Sequence, residues 1–198
     1  VTFTNPQDGW ATGHDTVIMH TKDAGENWEL QFDGRHLGEQ GESYYQAKYD
    51  RSKEQASNCK GKLEEIAGLD DSTNCRNLED LADKYDMLVG EMAFAKKQGA
   101  DKPLFNILCT EAKDHTSCSA AGAYGVTLRS VDGGKTWVNR MDKIENPDFV
   151  HIFFGAPISS TSYLISGEMG NVWRADSDPS PESNFDYKLK LIPTPYEG

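Results

Sequence analysis

The eight residues Ser130-Val131-Asp132-Gly133-Gly134-Lys135-Thr136-Trp137 decide how the rest of the chain is read. A second copy stands upstream, Thr21-Lys22-Asp23-Ala24-Gly25-Glu26-Asn27-Trp28, and both fit the pattern [ST]-x-D-x-G-x-[TN]-W. Each copy follows a short run of β-forming residues, Val17–His20 before the first and Val126–Arg129 before the second. At this spacing the hydroxyl and the carboxylate can accept backbone N–H groups inside one tight turn, and Gly25 and Gly134 can supply its positive φ. Trp28 and Trp137 then open the next strand and bury a large ring against a sheet. The pattern predicts a hairpin in which Asp23 and Asp132 are committed to holding their own turn. It therefore speaks to architecture rather than to chemistry.

Working outward, the shift that places Asp23 on Asp132 also places Gly13 on Gly122, Val17 on Val126, Gly25 on Gly134 and Trp28 on Trp137. Matches at positions of this kind define an internal repeat. Residues 1–33 read as short strands around Phe3–Asn5, Trp10–Gly13, Thr16–His20 and Trp28–Phe32. Residues 103–148 repeat that layout with Leu104–Leu108, Ser119–Gly122 and Gly125–Arg129. Residues 149–198 carry a third, decayed copy: strands at Phe149–Phe154, Tyr163–Gly167, Gly170–Arg174 and Tyr187–Leu191, with the turn motif dissolved into Ala175–Phe185. Residues 34–102 differ. Leu78, Leu81, Ala82, Tyr85, Leu88, Val89 and Met92 form one helical stripe, with Asn77 as the expected N-cap and Gly99 as the stop. A weaker stripe of Tyr45, Tyr49, Ala56 and Cys59 predicts a first helix over about 42–59 that breaks near Gly61, continues briefly as Leu63–Gly68 and turns at Leu69–Ser72. The expected organisation is thus a sheet-built protein with an inserted helical hairpin.

The net charge of −12 speaks against nucleic acid as a partner, since phosphate binding wants a basic face, and favours solubility or a basic partner surface. No apolar run approaches the ~18 residues a membrane-spanning helix needs. The four cysteines make no C-x-x-C pair, which speaks against a zinc or thioredoxin-like site. Their spacing allows Cys109–Cys118 to tie two neighbouring strands and Cys59–Cys75 to tie two helices, which would place the protein in an oxidising compartment; the alternative is four free thiols. His14, His20, His36, His115 and His151 show no metal-ligand spacing, so neither a metal nor a cofactor is expected. Asp70-Asp71 lacks the downstream Glu of a calcium loop, and the Gly-Gly-Lys run lacks the frame of a phosphate-binding loop.

The segments GWATGHDTVIMHTKDAGENWELQF, GAYGVTLRSVDGGKTW and SGEMGNVWRADSD resemble the Asp-box (BNR) repeats of β-propellers. They are most similar to the photosystem II stability/assembly factor-like family, whose repeats take the form GWAxGxxGxIxxTxDGGxxW. The GAYG-x-x-LR and GEMGN-x-x-R stretches and the terminal PYEG are similar to its bacterial, non-photosynthetic branch. The resemblance covers the three β segments and not residues 38–100. It implies a partial β-propeller of about three four-stranded Asp-box blades, which with the helical hairpin read from residues 34–102 makes an all-β fold with an α-helical insertion. It also implies an exported, periplasmic, non-catalytic scaffold or assembly factor for a membrane-associated envelope complex. Three blades do not close a ring, so the chain is expected to be one segment of a larger propeller or to close by oligomerising; its start at Val1 fits a processed or excerpted protein.

Arg129 and Arg174 match the family's arginine ahead of the Asp-box and become candidate protein contacts; the first repeat carries His20 there. Tyr44, Tyr45 and Tyr49 form a second candidate contact stripe, with packing against the other helix as the competing account. The alternative function is a carbohydrate-active propeller of sialidase type, which needs three converging arginines and a Tyr/Glu pair. The chain has six arginines: Arg35, Arg51, Arg76, Arg129, Arg140 and Arg174.

Overall fold

A computed structural model describes residues 1–65, 72–99, 101–111, 116–158, 162–176 and 189–195. Short β-rich runs punctuated by Gly and Asp favour local antiparallel pairing, and the chain forms three four-stranded antiparallel sheets, each taken in sequence order. The first holds β1 (Thr2–Phe3), β2 (Gly9–Thr12), β3 (Ile18–Thr21) and β4 (Glu29–Phe32). The second holds β5 (Leu104–Glu111), β6 (Thr116–Gly122), β7 (Thr127–Ser130) and β8 (Val138–Asn139). The third holds β9 (Ile152–Pro157), β10 (Ser162–Gly167), β11 (Val172–Asp176) and β12 (Leu189–Ile192).

The turns joining the second and third strands are alike in all three sheets. Asp15-Thr16, Tyr124-Gly125 and Met169-Gly170 all have positive φ, which matches the two-residue hairpin turn favoured by twisted strands. Three of these six residues are neither Gly nor Asp. Thr16 is held there by donating its hydroxyl to the Lys102 carbonyl at 2.6 Å.

Alternation along the strands buries one face of the third sheet against the second. Ala121, Ile144, Val150, Ile152, Ile165, Trp173, Ala175 and Leu189 make this core. Trp173 is fully buried and its indole N–H donates to the Glu145 carbonyl at 2.7 Å. A side chain at Gly167 would collide with its ring, so the glycine there makes room for the tryptophan. The first and second sheets are joined by polar ties. Leu104 N–H donates to the Gly13 carbonyl at 3.0 Å. Gln31 accepts from Trp10 Nε1 at 2.9 Å and donates to the Gly133 carbonyl at 3.2 Å.

Contacts divide the chain into two compact units, Val1–Arg35 with Gly99–Gly198, and His36–Gln98. The second unit is a hairpin of α1 (Leu37–Glu65) and α2 (Ser72–Gln98). Tyr45, Ala56, Ala82, Leu88, Met92 and Ala95 are buried in it, and Tyr45 stacks on Tyr85 with ring centroids 6.3 Å apart. A Cβ on Gly38 would come within 2.5 Å of the Lys96 amide nitrogen, so the two helix ends that flank the hairpin lie in direct contact. No helix among the described residues is long and apolar enough to cross a membrane.

Several boundaries differ from the sequence expectation. The first helix runs through Gly61 without a break: its missing side chain meets nothing within 4 Å, and an exposed helical glycine costs only about 1 kcal/mol. The second helix starts at Ser72, so Asn77 is interior rather than a cap; this puts Cys75 on a helical turn facing Cys59. Leu81 lies on the exposed edge of the predicted stripe. Phe149 has φ 49 and cannot open a strand, and β9 begins only at Ile152. Ahead of it Asn146 makes paired hydrogen bonds with the Val150 backbone, closing a loop. Asp70-Asp71, most of the Leu69–Ser72 turn, His115, most of the decayed third turn and Tyr187 lie outside the described residues.

Candidate functional site

The two motif turns share one hydrogen-bond plan. Thr21 donates its hydroxyl to Asp23 Oδ1 at 2.8 Å and accepts from the Gly25 amide at 2.9 Å. Asp23 in turn accepts from the Asn27 amide at 2.9 Å and from the Asn27 side chain at 2.7 Å. In the second turn Ser130 donates to Asp132 Oδ1 at 2.8 Å and accepts from the Gly134 amide at 2.8 Å. Asp132 accepts from the Thr136 amide at 2.9 Å and from its hydroxyl at 2.7 Å. Gly25 and Gly134 have φ 93 and φ 84, and the preceding Ala24 and Gly133 are also positive. Trp28 donates its indole N–H to the Gly25 carbonyl at 3.0 Å, folding its ring under the turn; Trp137 is buried.

These bonds favour the ionised carboxylates. The Asn27 amide, then the Asn27 side chain and the Thr21 hydroxyl, hold the Asp23 carboxyl down to about 2. At Asp132 burial works the other way, but the bonds from Thr136 and Ser130 together outweigh it and hold the carboxyl below its ordinary value. Both acids are acceptors for their own turns, and neither is placed as a proton donor.

Beside the second turn lies a cleft of about 190 Å³ whose lining includes Asp8, His20, Lys22, Gln31, Asp132 and Lys135. His20 is buried and stacks on Trp10 with centroids 4.4 Å apart. Its Nε2 sits 3.3 Å from Asp8 Oδ1 without the alignment of a hydrogen bond. This His–Trp stack and the Gln31 bridge were not singled out from the sequence. Gln31 ties residues far apart in the chain, and nothing in its own strand's alternation announces that role.

The two repeat arginines occupy corresponding strands and differ in what covers them. Arg129 pairs across strands with Ser119 and is buried, donating to the Ser119 hydroxyl at 3.3 Å. Ser119 and Thr127, on the same face, line the seam with Ile152 and Tyr163 of the third sheet. Arg174 is exposed on the opposite face from Trp173, its Nε donating to both Asp176 oxygens at 3.0 Å, and Lys190 lies across from it on β12. The Asp176 carboxyl is held below its ordinary value first by Arg174 and then by the Ser162 hydroxyl.

The tyrosines separate in the same way. Tyr45 is fully buried and serves the packing of α1 on α2, whereas Tyr44 and Tyr49 are half-buried. Lys48 lies 4.6 Å over the Tyr44 ring, and Lys53 donates to the Tyr49 hydroxyl at 3.0 Å. All four cysteines are bridged. Cys59–Cys75 ties α1 to α2 with Cα atoms 5.6 Å apart, and Cys109–Cys118 joins directly opposed residues of β5 and β6.

No protein-family model matches the chain, and none of the curated proteins matches it.

Proposed function

We infer that this chain is part of an Asp-box β-propeller, with three blades and a helical hairpin, and that it works as a non-catalytic protein–protein scaffold or assembly factor of an envelope complex. The repeated four-strand order, the repeated two-residue turn and the shared plan of the two motif turns support the propeller reading. Two disulfides support an oxidising, exported setting, such as the periplasm.

The observation that carries the scaffold reading is the contrast between Arg129 and Arg174. The first is buried on the face of its sheet that carries Ser119, while its counterpart is exposed on the third sheet across from Lys190. In a protein of net charge −12, the opposed Arg174 and Lys190 are a candidate docking point for an acidic surface, supplied by a separate protein or by a further blade. Arg35 pairs with Asp33, Arg129 with Ser119 and Arg174 with Asp176, so these arginines lend no support to a sialidase-type carboxylate clamp.

Affinity purification from the source envelope fraction tests the proposal, with wild type beside Arg174→Glu. A partner recovered with wild type and lost with the folded variant supports it. Equal recovery by both removes the arginine face, and no recovered partner removes the scaffold reading.

A further inference from the structure

The second and third sheets bring four aromatic side chains to one exposed cluster. Phe105 on β5 and Phe153 on β9 have ring centroids 5.7 Å apart, and both are partly exposed. His151, just ahead of β9, lies 5.9 Å from Phe105 and 6.4 Å from Phe153. Tyr124, at the tip of the β6–β7 turn, stands edge-on to His151 at 4.8 Å with an interplanar angle of 88°.

What fixes that tip is unusual. Tyr124 has φ 54, a left-handed conformation unfavourable for a side chain of its size. Its amide donates to His151 Nδ1 at 2.9 Å. An imidazole nitrogen accepts a hydrogen bond only when it carries no proton, so this bond needs a His151 whose Nδ1 is bare. Once both ring nitrogens are protonated, Nδ1 becomes a donor facing another donor. The nearest acceptor recorded for it is Glu168 Oε2, 3.9 Å away and partly exposed. Glu168 is already docked against the same residue: it accepts from the His151 amide at 2.8 Å, and its own amide donates to the His151 carbonyl at 3.0 Å. The other charged group recorded in the cluster is Lys102, whose Nζ lies 5.4 Å from the Tyr124 ring.

We propose that His151 is a protonation-operated latch on the Tyr124 turn. The neutral ring accepts from the Tyr124 amide and holds the tyrosine against the aromatic cluster. The protonated ring turns its Nδ1–H toward Glu168 and lets the tip go. The base of the turn stays tied in both forms, because Ala123 N–H donates to the Pro103 carbonyl at 2.9 Å and Val126 N–H to the Ala123 carbonyl at 3.0 Å. The change is therefore confined to the tip and alters how Tyr124, Phe105 and Phe153 are presented to solvent. It does not depend on the identity of any binding partner.

NMR on the intact chain tests the latch. Long-range nitrogen–proton spectra of His151 should show the neutral ring protonated at Nε2, with Nδ1 bare. On acidification the Tyr124 amide shift should move with the same midpoint as the His151 ring. Its hydrogen exchange, corrected for intrinsic pH dependence, should rise about fivefold, as expected for one modest hydrogen bond lost. The Ala123 and Val126 amides should stay protected. In His151→Phe, which keeps a ring but has no acceptor, the Tyr124 amide should exchange at the fast rate throughout. A neutral His151 protonated at Nδ1 overturns the proposal, as does a Tyr124 amide indifferent to the ring's titration. Should His151→Phe not fold, the wild-type tautomer and titration decide the matter alone.

Discussion

At the scale of single residues, Asp132 and Asp23 show how a charged side chain becomes a backbone element. Each carboxylate gathers N–H and O–H donors from within five residues of itself, so its ionised form is part of the turn. The pH dependence has a definite sign. An aspartate in an unfolded chain titrates at about 3.9, and Asp23 is held to about 2 in the fold. The stabilisation is complete above about pH 4 and drains away as pH falls toward 2. Chemical denaturation at a series of pH values should show that slope, and Asp23→Asn should flatten it. Asp132→Ala, which deletes the acceptor at neutral pH as well, should cost about 2 kcal/mol in the same measurement. This layer of the structure was legible in the sequence because every partner is local: hydroxyl, carboxylate, glycine and tryptophan stand at fixed offsets. Gln31 was not legible. A Cβ on Gly134 would overlap its side chain, so it lies closely across a turn from another sheet, and that fit exists only once the sheets are stacked.

At the scale of elements, the hairpin shows which signals a periodic pattern carries and which it lacks. Apolar spacing found both helices and the faces they bury, since packing produced the pattern. It misplaced their ends. Gly61 reads as a breaker, yet it sits on an exposed helical face where losing a side chain costs little. Asn77 reads as a cap, yet the helix reaches back past it to place Cys75 against Cys59. The bridge closes a loop of 16 residues in sequence and stabilises the hairpin by about 3 kcal/mol through the entropy it removes from the unfolded chain. Replacing both Cys59 and Cys75 by Ser should lower helical stability by about that amount, followed by circular dichroism at 222 nm in urea. Peptide mapping of the non-reduced protein should recover Cys59 with Cys75 and Cys109 with Cys118. The Cys109–Cys118 pair was legible for a simpler reason: a nine-residue separation suits directly opposed positions on two strands joined by a turn.

At the scale of the whole molecule, the chain's two units rest on different interactions. The sheet unit relies on pairing between successive strands, on contacts between sheets and on a Trp173-centred core, and the helical unit on contacts within one hairpin. Because Gly38 touches Lys96, the hairpin leaves and re-enters the chain at nearly one place. Excising His36–Gln98 and joining Arg35 to Gly99 through a few glycines should leave the sheet unit folded. Its circular dichroism should lose the helical bands and keep the strand signal, and the Cys109–Cys118 bridge should remain in a peptide map. An excised chain with no cooperative transition would show instead that the sheets require the hairpin. The stacking order of the sheets is the part that sequence conveyed least. A repeat announces equal units, but whether Arg129 ends covered and Arg174 open depends on which neighbours each sheet has in space.

The contact between Gly38 and Lys96 also bears on how the chain finds its fold. Strands β4 and β5 are separated by a long segment, and the entropy of closing a loop grows with the logarithm of its length. Two helices can zip outward from the Cys59–Cys75 end, each step short, until Glu42 meets Lys96, 54 residues away in sequence. Once they do, the long segment behaves as a short tether pinched at its neck. The hairpin thus erases most of the distance that its own insertion put between the first and second sheets.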